Sequence, residues 1–300
     1  MASPLTADAL VRALRNEGVK VVEHSGWRTN NRNSKGAWGP VHGVMIHHTV
    51  TSGTDATVRL CFDGRSDLPG PLCHGVIAKD GTVHLVGNGR ANHAGLGDDD
   101  VLRAVVAESA ALPAPNENNT DGNSRFYGFE CVNLGDGKDP WPAAQLEAIE
   151  AAAAAICRAH RWSARSVIGH KEWTNTKIDP RGFSMAGMRE RIASRLGAAA
   201  PTPPPRPVVD LSRLVAAARN DPAAPGTPVS YSGVKTVERA LVAEGLLAAA
   251  YADGHFGTQT VTAYAAWQRR CGYSGADADG IPGMSTLRRL GDKHGFTVQQ

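Results

Sequence analysis

A run rich in proline interrupts the sequence at about two thirds of its length. Five of the ten residues from Ala198 to Pro207 are proline. Proline cannot donate a backbone hydrogen bond and holds the chain extended, so neither a helix nor a sheet can continue through this run. A chain of 300 residues is also longer than one core usually organises, since domains cluster at roughly 100–150 residues. The sequence therefore predicts two domains, 1–197 and 211–300, joined by a linker at 198–210.

Before the linker, apolar strand-like runs alternate with helix-like runs. The predicted strands are Val41–His48, His74–Ala78, Thr82–Val86, Phe126–Val132 and Val167–His170. Ala143–Arg158 predicts a helix because alanine has the highest helix propensity. Asp80-Gly81 between two apolar runs indicates a hairpin, so part of the sheet should be antiparallel. We expect an α/β domain with a mixed central sheet flanked by helices.

The part after the linker has the pattern of a small helical module. Val234–Leu247 and Thr258–Arg270 have amphipathic spacing and are separated by glycine-rich turns. Each of two Asp-Gly turns is followed by Gly-x-x-Thr, and we expect a hydroxyl there to cap the next helix. Trp267 lies in an alanine-rich helical run and is expected in the core. The pattern predicts a small helical module.

Composition and charge exclude several classes of protein. With 42% hydrophobic and 20% charged residues, the chain resembles an ordinary globular protein and not a disordered one. A net charge of +3 is too small to indicate nucleic-acid binding. No apolar run reaches eighteen residues, so no stable membrane insertion is expected, and the first residues lack the pattern of a secretory signal. The five cysteines include no Cys-x-x-Cys pair, which favours buried free thiols.

Metal-binding side chains follow two of the predicted strands. One strand ends in His47 and His48, another ends in His170, and Asp179 comes nine residues later. Two imidazoles and one carboxylate suit a catalytic zinc ion that keeps its fourth position open. Taken singly, each histidine could equally be an ordinary buried residue. The combination favours a zinc site at one edge of the sheet.

Several segments, in this order, resemble the zinc N-acetylmuramoyl-L-alanine amidases and the peptidoglycan recognition proteins related to them. The matching segments are Met45–Thr49, His74–Val83, Asn92–Gly95, Tyr127–Asn133, Gly169–Trp173 and Lys177–Pro180. The resemblance extends roughly from Trp27 to Leu196 and implies that His47, His170 and Asp179 bind Zn²⁺. Many members of the family have cysteine at the position of Asp179.

The chemistry of amide hydrolysis assigns roles to two further residues. Zinc can lower the pKa of a bound water to about 7, but a separate group must carry the proton to the leaving nitrogen. Glu130 is the candidate, because it lies on an apolar run where an unpaired carboxylate is costly to bury. The resemblance gives the same role, and it implies that Lys177 stabilises the oxyanion. For Glu130, the alternatives are an edge-strand glutamate that faces solvent or one that pairs with a lysine. For Lys177, the alternative is a solvated loop lysine.

Three further histidines lie within or beside the matched motifs. By position, His48, His74 and His93 would line the substrate groove, as substrate contacts or as supports of the metal ligands; packed core histidines are the alternative. The family often has tyrosine where this chain has Cys73, which favours Glu130 over a phenol as the acid–base group.

These patterns together predict a wall-degrading enzyme. The resemblance implies hydrolysis of the amide between N-acetylmuramic acid and L-alanine in bacterial peptidoglycan. The tail resembles the three-helix peptidoglycan-binding domain of wall hydrolases, which implies a small three-helix C-terminal domain. Two alternatives stay open: a non-catalytic peptidoglycan-recognition protein and a zinc peptidase that cuts within the stem peptide. We expect a monomeric phage endolysin, made soluble in the host cytoplasm and acting on the cell wall; an exported bacterial autolysin is the second possibility for its origin.

Overall fold

The computed structural model describes residues 1–199, 206–220 and 231–300. The chain forms two compact units, Met1–Pro203 and Pro204–Gln300. Of the predicted linker, 200–205 lie outside the described residues. Its last residues, Val208–Asp210, form a strand that belongs to the second unit, so the described part of that linker is not all irregular.

A six-stranded sheet organises the first unit. Its strands are β1 (Val21–Glu23), β2 (Val44–His48), β3 (Gly75–Ile77), β4 (Val83–Leu85), β7 (Tyr127–Cys131) and β8 (Val167–Gly169). They lie in the order β1-β4-β3-β7-β2-β8. Only β3 and β4 pair antiparallel, across the predicted Asp80-Gly81 hairpin, and the other pairs are parallel. The expected mixed α/β fold is confirmed.

One face of the sheet is covered by α1 (Ala7–Asn16), α4 (Ala143–His160) and α6 (Met185–Gly197). Helix α4 buries five consecutive alanines, Ala151–Ala155, and such small side chains let the helix approach the sheet closely. This face contains the main hydrophobic core of the unit. Side chains of β2, β7 and β8 pack in this core, which fixes the positions of these three strands.

The opposite face is covered in two parts, with space between them for polar residues. Helix α2 (Thr54–Asp63) packs on Val76 and Val132. Helix α3 (Asp99–Val106) and the short α5 (His170–Trp173) enclose a second small core around Met45 and Trp173. Two short strands, β5 (Leu96–Gly97) and β6 (Thr120–Asp121), pair beside it.

The described residues of the second unit contain four α-helices, one more than the resemblance implies. They are α7 (Leu211–Asn220), α8 (Gly233–Ala243), α9 (Thr258–Arg270) and α10 (Met284–His294). Strand β9 (Val208–Asp210) pairs in parallel with β10 (Thr297–Gln299). The core of this unit includes Trp267, as expected, and its indole N–H donates to the Thr286 carbonyl at 2.9 Å.

The capping prediction for the Asp-Gly turns was wrong. Helices α9 and α10 begin after Gly257 and Gly283, and neither start is capped by a side chain. The hydroxyl of Thr260 instead donates to the Glu238 carboxylate at 3.0 Å, and that of Thr286 donates to the Gly283 carbonyl at 3.1 Å. Each threonine is the third residue of its helix and is buried, so its hydroxyl group stabilises the turn through a hydrogen bond and does not cap the helix.

All five cysteines are free, as predicted, and four are buried. Among the helices of the described residues, none is long and apolar enough to span a membrane.

Candidate metal and catalytic site

Strand ends bring the candidate residues to one edge of the sheet. His47 lies near the end of β2 and is directly opposite Glu130 of β7 in the parallel register. His170 begins α5 immediately after β8, and Asp179 lies in the loop that precedes α6. Because β2, β7 and β8 are parallel, their carboxyl ends meet at the same edge, where sites of open α/β sheets collect.

Three donor atoms converge at this edge. His47 Nδ1 lies 3.0 Å from His170 Nδ1 and 3.0 Å from Asp179 Oδ2, and His170 Nδ1 lies 3.2 Å from the same carboxylate oxygen. All three residues are buried. Donors bound tetrahedrally to one zinc ion at about 2.0–2.1 Å lie roughly 3.3–3.4 Å apart. The three atoms therefore have nearly the mutual spacing of a single coordination site.

The hydrogen bonds behind the two rings fix their tautomers. His170 Nε2 is 3.2 Å from the Ala94 carbonyl, which can only accept, so Nε2 carries the hydrogen and Nδ1 of the neutral ring has a lone pair. His93 Nε2 likewise donates to the Phe126 carbonyl at 3.0 Å. His93 Nδ1 must then accept, and His47 Nε2 donates to it at 3.1 Å, which leaves a lone pair on His47 Nδ1. Both lone pairs face the donor cluster.

Electrostatics favour a bound cation at this cluster. Burial lowers the pKa of His47 to about 4, so the ring is neutral at pH 7. Burial alone would raise the pKa of Asp179, but a hydrogen bond from an imidazole whose Nδ1 carries a proton outweighs burial and lowers that pKa. Two neutral nitrogen lone pairs and a carboxylate oxygen would repel one another at 3.0–3.2 Å without a positive charge between them. The residues present thus fit a zinc ion, with imidazoles oriented from behind as in other zinc sites.

Glu130 has the properties of a group that exchanges protons. Its Oε2 is buried and has no hydrogen-bond partner in the described residues. Burial, followed by the negative charge of Asp179, raises the pKa of Glu130 to about 8, against the opposing effect of Lys177. The neighbouring Cys131 packs in the main core on the other face of the sheet, as strand alternation requires.

Lys177 is exposed and forms no hydrogen bond or ion pair with the described residues. Its positive charge lowers the pKa of both His47 and Glu130, which places it within electrostatic reach of the donor cluster. An exposed ammonium group on a loop beside the site remains free to approach a bound substrate.

The three histidines predicted to contact substrate lie in different places. His48 is on the opposite face of β2 from His47, and its Nδ1 accepts from the Arg181 backbone N–H at 3.1 Å. His74 donates from Nε2 to the Gly89 carbonyl and accepts at Nδ1 from the Gly128 N–H, both at 2.9 Å. Of these three histidines, only His93 contacts the donor cluster, through its hydrogen bond with His47. His48 and His74 therefore form hydrogen bonds with backbone groups, and His93 orients the ring of His47.

Sequence reasoning missed Asn123. Its side-chain oxygen accepts the backbone N–H groups of His93, Ala94 and Gly95 at 2.9, 2.8 and 3.2 Å. Asn123 follows Asp121-Gly122, a combination typical of any surface turn, so the sequence carries no signal of this contact.

Comparisons with known proteins agree with this two-part organisation. Residues 37–182 match the family model of N-acetylmuramoyl-L-alanine amidase, and residues 230–290 match that of a peptidoglycan binding domain. The chain thus combines an amidase domain of this family with a peptidoglycan-binding domain. No curated protein matches the chain.

Solved structures with a similar fold include several amidases. One is N-acetylmuramoyl-L-alanine amidase LysC from Clostridium intestinale URNW, with 17% identity over 58% of this chain and 97% of that one, and a TM-score of 0.40. The catalytic domain of XlyA has 18% identity over 58% and 99% of the two chains, with a TM-score of 0.40. The amidase AmiD from E. coli, solved with anhydro-N-acetylmuramic acid-L-Ala-D-gamma-Glu-L-Lys, has 16% identity over 88% and 93%, with a TM-score of 0.38.

Proposed function

We propose that the protein is a zinc-dependent N-acetylmuramoyl-L-alanine amidase, which hydrolyses the amide between N-acetylmuramic acid and L-alanine in bacterial peptidoglycan. The observation that carries the proposal is the convergence of the donor atoms of His47, His170 and Asp179 beside an unpaired oxygen of Glu130. The match to the amidase family supports the choice of bond.

The residues of the site divide the chemistry between them. His47, His170 and Asp179 hold the ion, which when bound supplies Lewis acidity for activating water and polarising the scissile carbonyl. Glu130 takes the proton from the attacking water and delivers it to the leaving nitrogen. Burial raises the pKa of its carboxyl group, which favours the protonated form that delivers a proton to the leaving nitrogen. Lys177 stabilises the negative charge that develops on the carbonyl oxygen.

Mass spectrometry of digested sacculi tests the bond that is cut. An amidase releases intact stem peptides with a free L-alanine amine and leaves muramic acid carboxyl groups, without new reducing sugars. Cleavage within the stem would instead indicate a zinc peptidase, and binding without any product would indicate a recognition protein. His170→Ala should release nothing. His24→Ala removes a ring whose one hydrogen-bond partner among the described residues is the ring of His84, and it should retain activity.

Metal removal tests the role of the ion. Treatment with a chelator should abolish product release, and added zinc should restore it. Elemental analysis should find one zinc per chain, lost in His170→Ala and Asp179→Ala. Product release that persists after the metal content has fallen to background would contradict the mechanism.

We further propose that the protein is a phage endolysin. A hydrolase tethered to a wall-binding domain suits an insoluble polymer, because binding raises the local substrate concentration. Expression in host cells should cause lysis only when a pore-forming protein opens the membrane, and His170→Ala should prevent it. Lysis without a pore would instead indicate an exported autolysin.

A further inference from the structure

One short loop supports both histidines of the donor cluster. His93 accepts the N–H of His47 at 3.1 Å, and the carbonyl of the next residue, Ala94, accepts the N–H of His170 at 3.2 Å. These two contacts determine which nitrogen of each ring faces Asp179. A displacement of this loop would therefore change the orientation of both imidazoles together.

A single side-chain atom accepts all three successive backbone N–H groups of that loop. Asn123 Oδ1 accepts three successive backbone N–H groups, from His93, Ala94 and Gly95. Successive N–H groups directed at one point form a concavity that suits an oxygen with high electron density. Among the described residues, no backbone carbonyl accepts any of these three N–H groups. Without an acceptor at this place, the buried N–H groups of His93 and Ala94 would lose their partner.

Asn123 is itself held from the other side. Its backbone N–H donates to Asp121 Oδ1 at 3.1 Å, and Arg90 grips the Asp121 carboxylate with two bonds of 2.6 and 2.9 Å. The Gly122 N–H also donates to the Gly95 carbonyl at 2.8 Å. Gly122 has no room for a side chain, since an added Cβ would lie 2.8 Å from that of Ala94. Hydrogen bonds and close packing therefore fix residues 93–95 and residues 121–123 relative to each other.

We propose that Asn123 is the positioning residue of the metal site, acting on His47 and His170 through the loop 93–95. The inference rests on the proposed function in that it takes this donor cluster to bind a metal ion. The required chemistry at position 123 is an oxygen acceptor, not an amide as such. Aspartate should therefore replace asparagine, and leucine, which has a similar size and no acceptor, should not.

The test compares zinc binding by the metal-free, full-length wild type, Asn123→Leu and Asn123→Asp, by competition with a chromophoric chelator. We expect zinc affinity to fall about 10- to 100-fold in Asn123→Leu, the usual effect of losing an outer-shell partner. Asn123→Asp should bind zinc much as the wild type does. With Co²⁺ as the probe, the visible absorption spectrum should change in Asn123→Leu and not in Asn123→Asp. Asn16→Leu, at an exposed position of α1, is the matched control and should match the wild type.

Thermal unfolding of the metal-free proteins establishes that the variants are folded. A folded Asn123→Leu with wild-type zinc affinity and Co²⁺ spectrum would overturn the inference. If Asn123→Leu does not fold, Asn123→Ser replaces it, because its shorter side chain cannot reach all three amides, and equal affinities of the serine and aspartate variants would overturn the inference. Wild-type protein that binds no zinc, or binds it equally after His170→Ala, would overturn the proposed function as well.

Discussion

Two carboxyl groups at the same site have pKa values shifted in opposite directions. Burial, with the nearby charge of Asp179, raises the pKa of Glu130 to about 8. Burial opposes the ionisation of Asp179, but hydrogen bonds from His170 and His47, when their Nδ1 atoms carry a proton, lower its pKa. A carboxylate that stays ionised suits a metal ligand, and one that can hold a proton near neutral pH suits an acid–base group. The two environments thus separate the two roles.

Glu130→Gln should separate metal binding from turnover. Glutamine keeps the shape of the side chain but cannot accept and return a proton, so we expect the rate to fall about 10²- to 10⁴-fold. Zinc content should stay at the wild-type level, because Glu130 is not one of the three converging donors. The measurements are elemental analysis and the rate at which peptides with a free L-alanine amine appear. Glu147→Gln, on an exposed part of α4, is the control; full activity of Glu130→Gln would assign proton transfer to another group.

At the residue scale, the sequence predicts the converging donors better than their surroundings. His47 and His170 each follow an apolar run that forms a strand. This pattern is local, so the sequence alone predicts that both histidines lie at strand ends. The environment of His74 is not local, because its ring bonds the backbone of Gly89 and Gly128, 15 and 54 residues away. The motif therefore predicts that His74 lies beside the groove, but it does not predict that both ring nitrogens form hydrogen bonds with backbone groups.

At the scale of elements, strands that lie within apolar runs are predicted from the sequence, and strands outside such runs are missed. All five predicted strands form, each within three residues of its expected bounds. Strands β1, β5, β6, β9 and β10 have two or three residues each, lie outside the predicted runs and exist through pairing with distant segments. So few residues cannot show a period of two, and the stabilising hydrogen bonds are invisible in the local sequence.

The two Asp-Gly turns of the second unit are fastened in the same way by different residues. Glu238 of α8 accepts the Gly254 N–H at 2.7 Å, and Gln268 of α9 accepts the Gly280 N–H at 2.7 Å. Glu238 is fully buried, and burial raises its pKa from 4.5 to about 7, against the effect of the Gly254 and Thr260 hydrogen bonds. The neutral side chain of Gln268 therefore accepts the glycine N–H of one Asp-Gly turn, as the carboxyl group of Glu238 does in the other turn.

Glu238→Gln should stabilise the second unit above neutral pH. Because the folded pKa exceeds the unfolded value, the stability that Glu238 contributes is fully present below about pH 4.5 and is lost as pH rises through about 7. Glutamine removes that loss, which we place at roughly 1–3 kcal/mol. Hydrogen-exchange mass spectrometry of α8 and α9 should show a larger gain of protection at pH 8 than at pH 5. The reciprocal Gln268→Glu should lose protection as pH rises; lower protection of Glu238→Gln at both pH values would contradict the argument.

At the scale of the whole molecule, each unit has a hydrophobic core of its own. The first is built on the six-stranded sheet, and the second gathers apolar residues of its helices around Trp267. The prolines between Ala198 and Pro207 make this division readable from the sequence, since their effect on backbone hydrogen bonding is local. All proposed metal ligands and both proposed catalytic residues belong to the first unit.

Truncation after residue 199 should therefore separate catalysis from wall binding. We expect residues 1–199 to fold, to bind zinc as the full chain does and to hydrolyse a soluble muropeptide at an unchanged rate. On insoluble sacculi at low enzyme concentration, the rate should fall about 10- to 100-fold, because the second unit no longer raises the local substrate concentration.

Tethering, and not the mere presence of the binding unit, is the physical cause in this argument. Adding residues 206–300 as a separate piece should therefore leave the truncated enzyme slow on sacculi, since two free molecules gain no effective concentration from each other. The full chain should lose its advantage as enzyme concentration rises, because binding then ceases to limit the rate. A truncated enzyme as fast as the full chain on dilute sacculi would show that the second unit does not serve to hold the amidase domain on the wall.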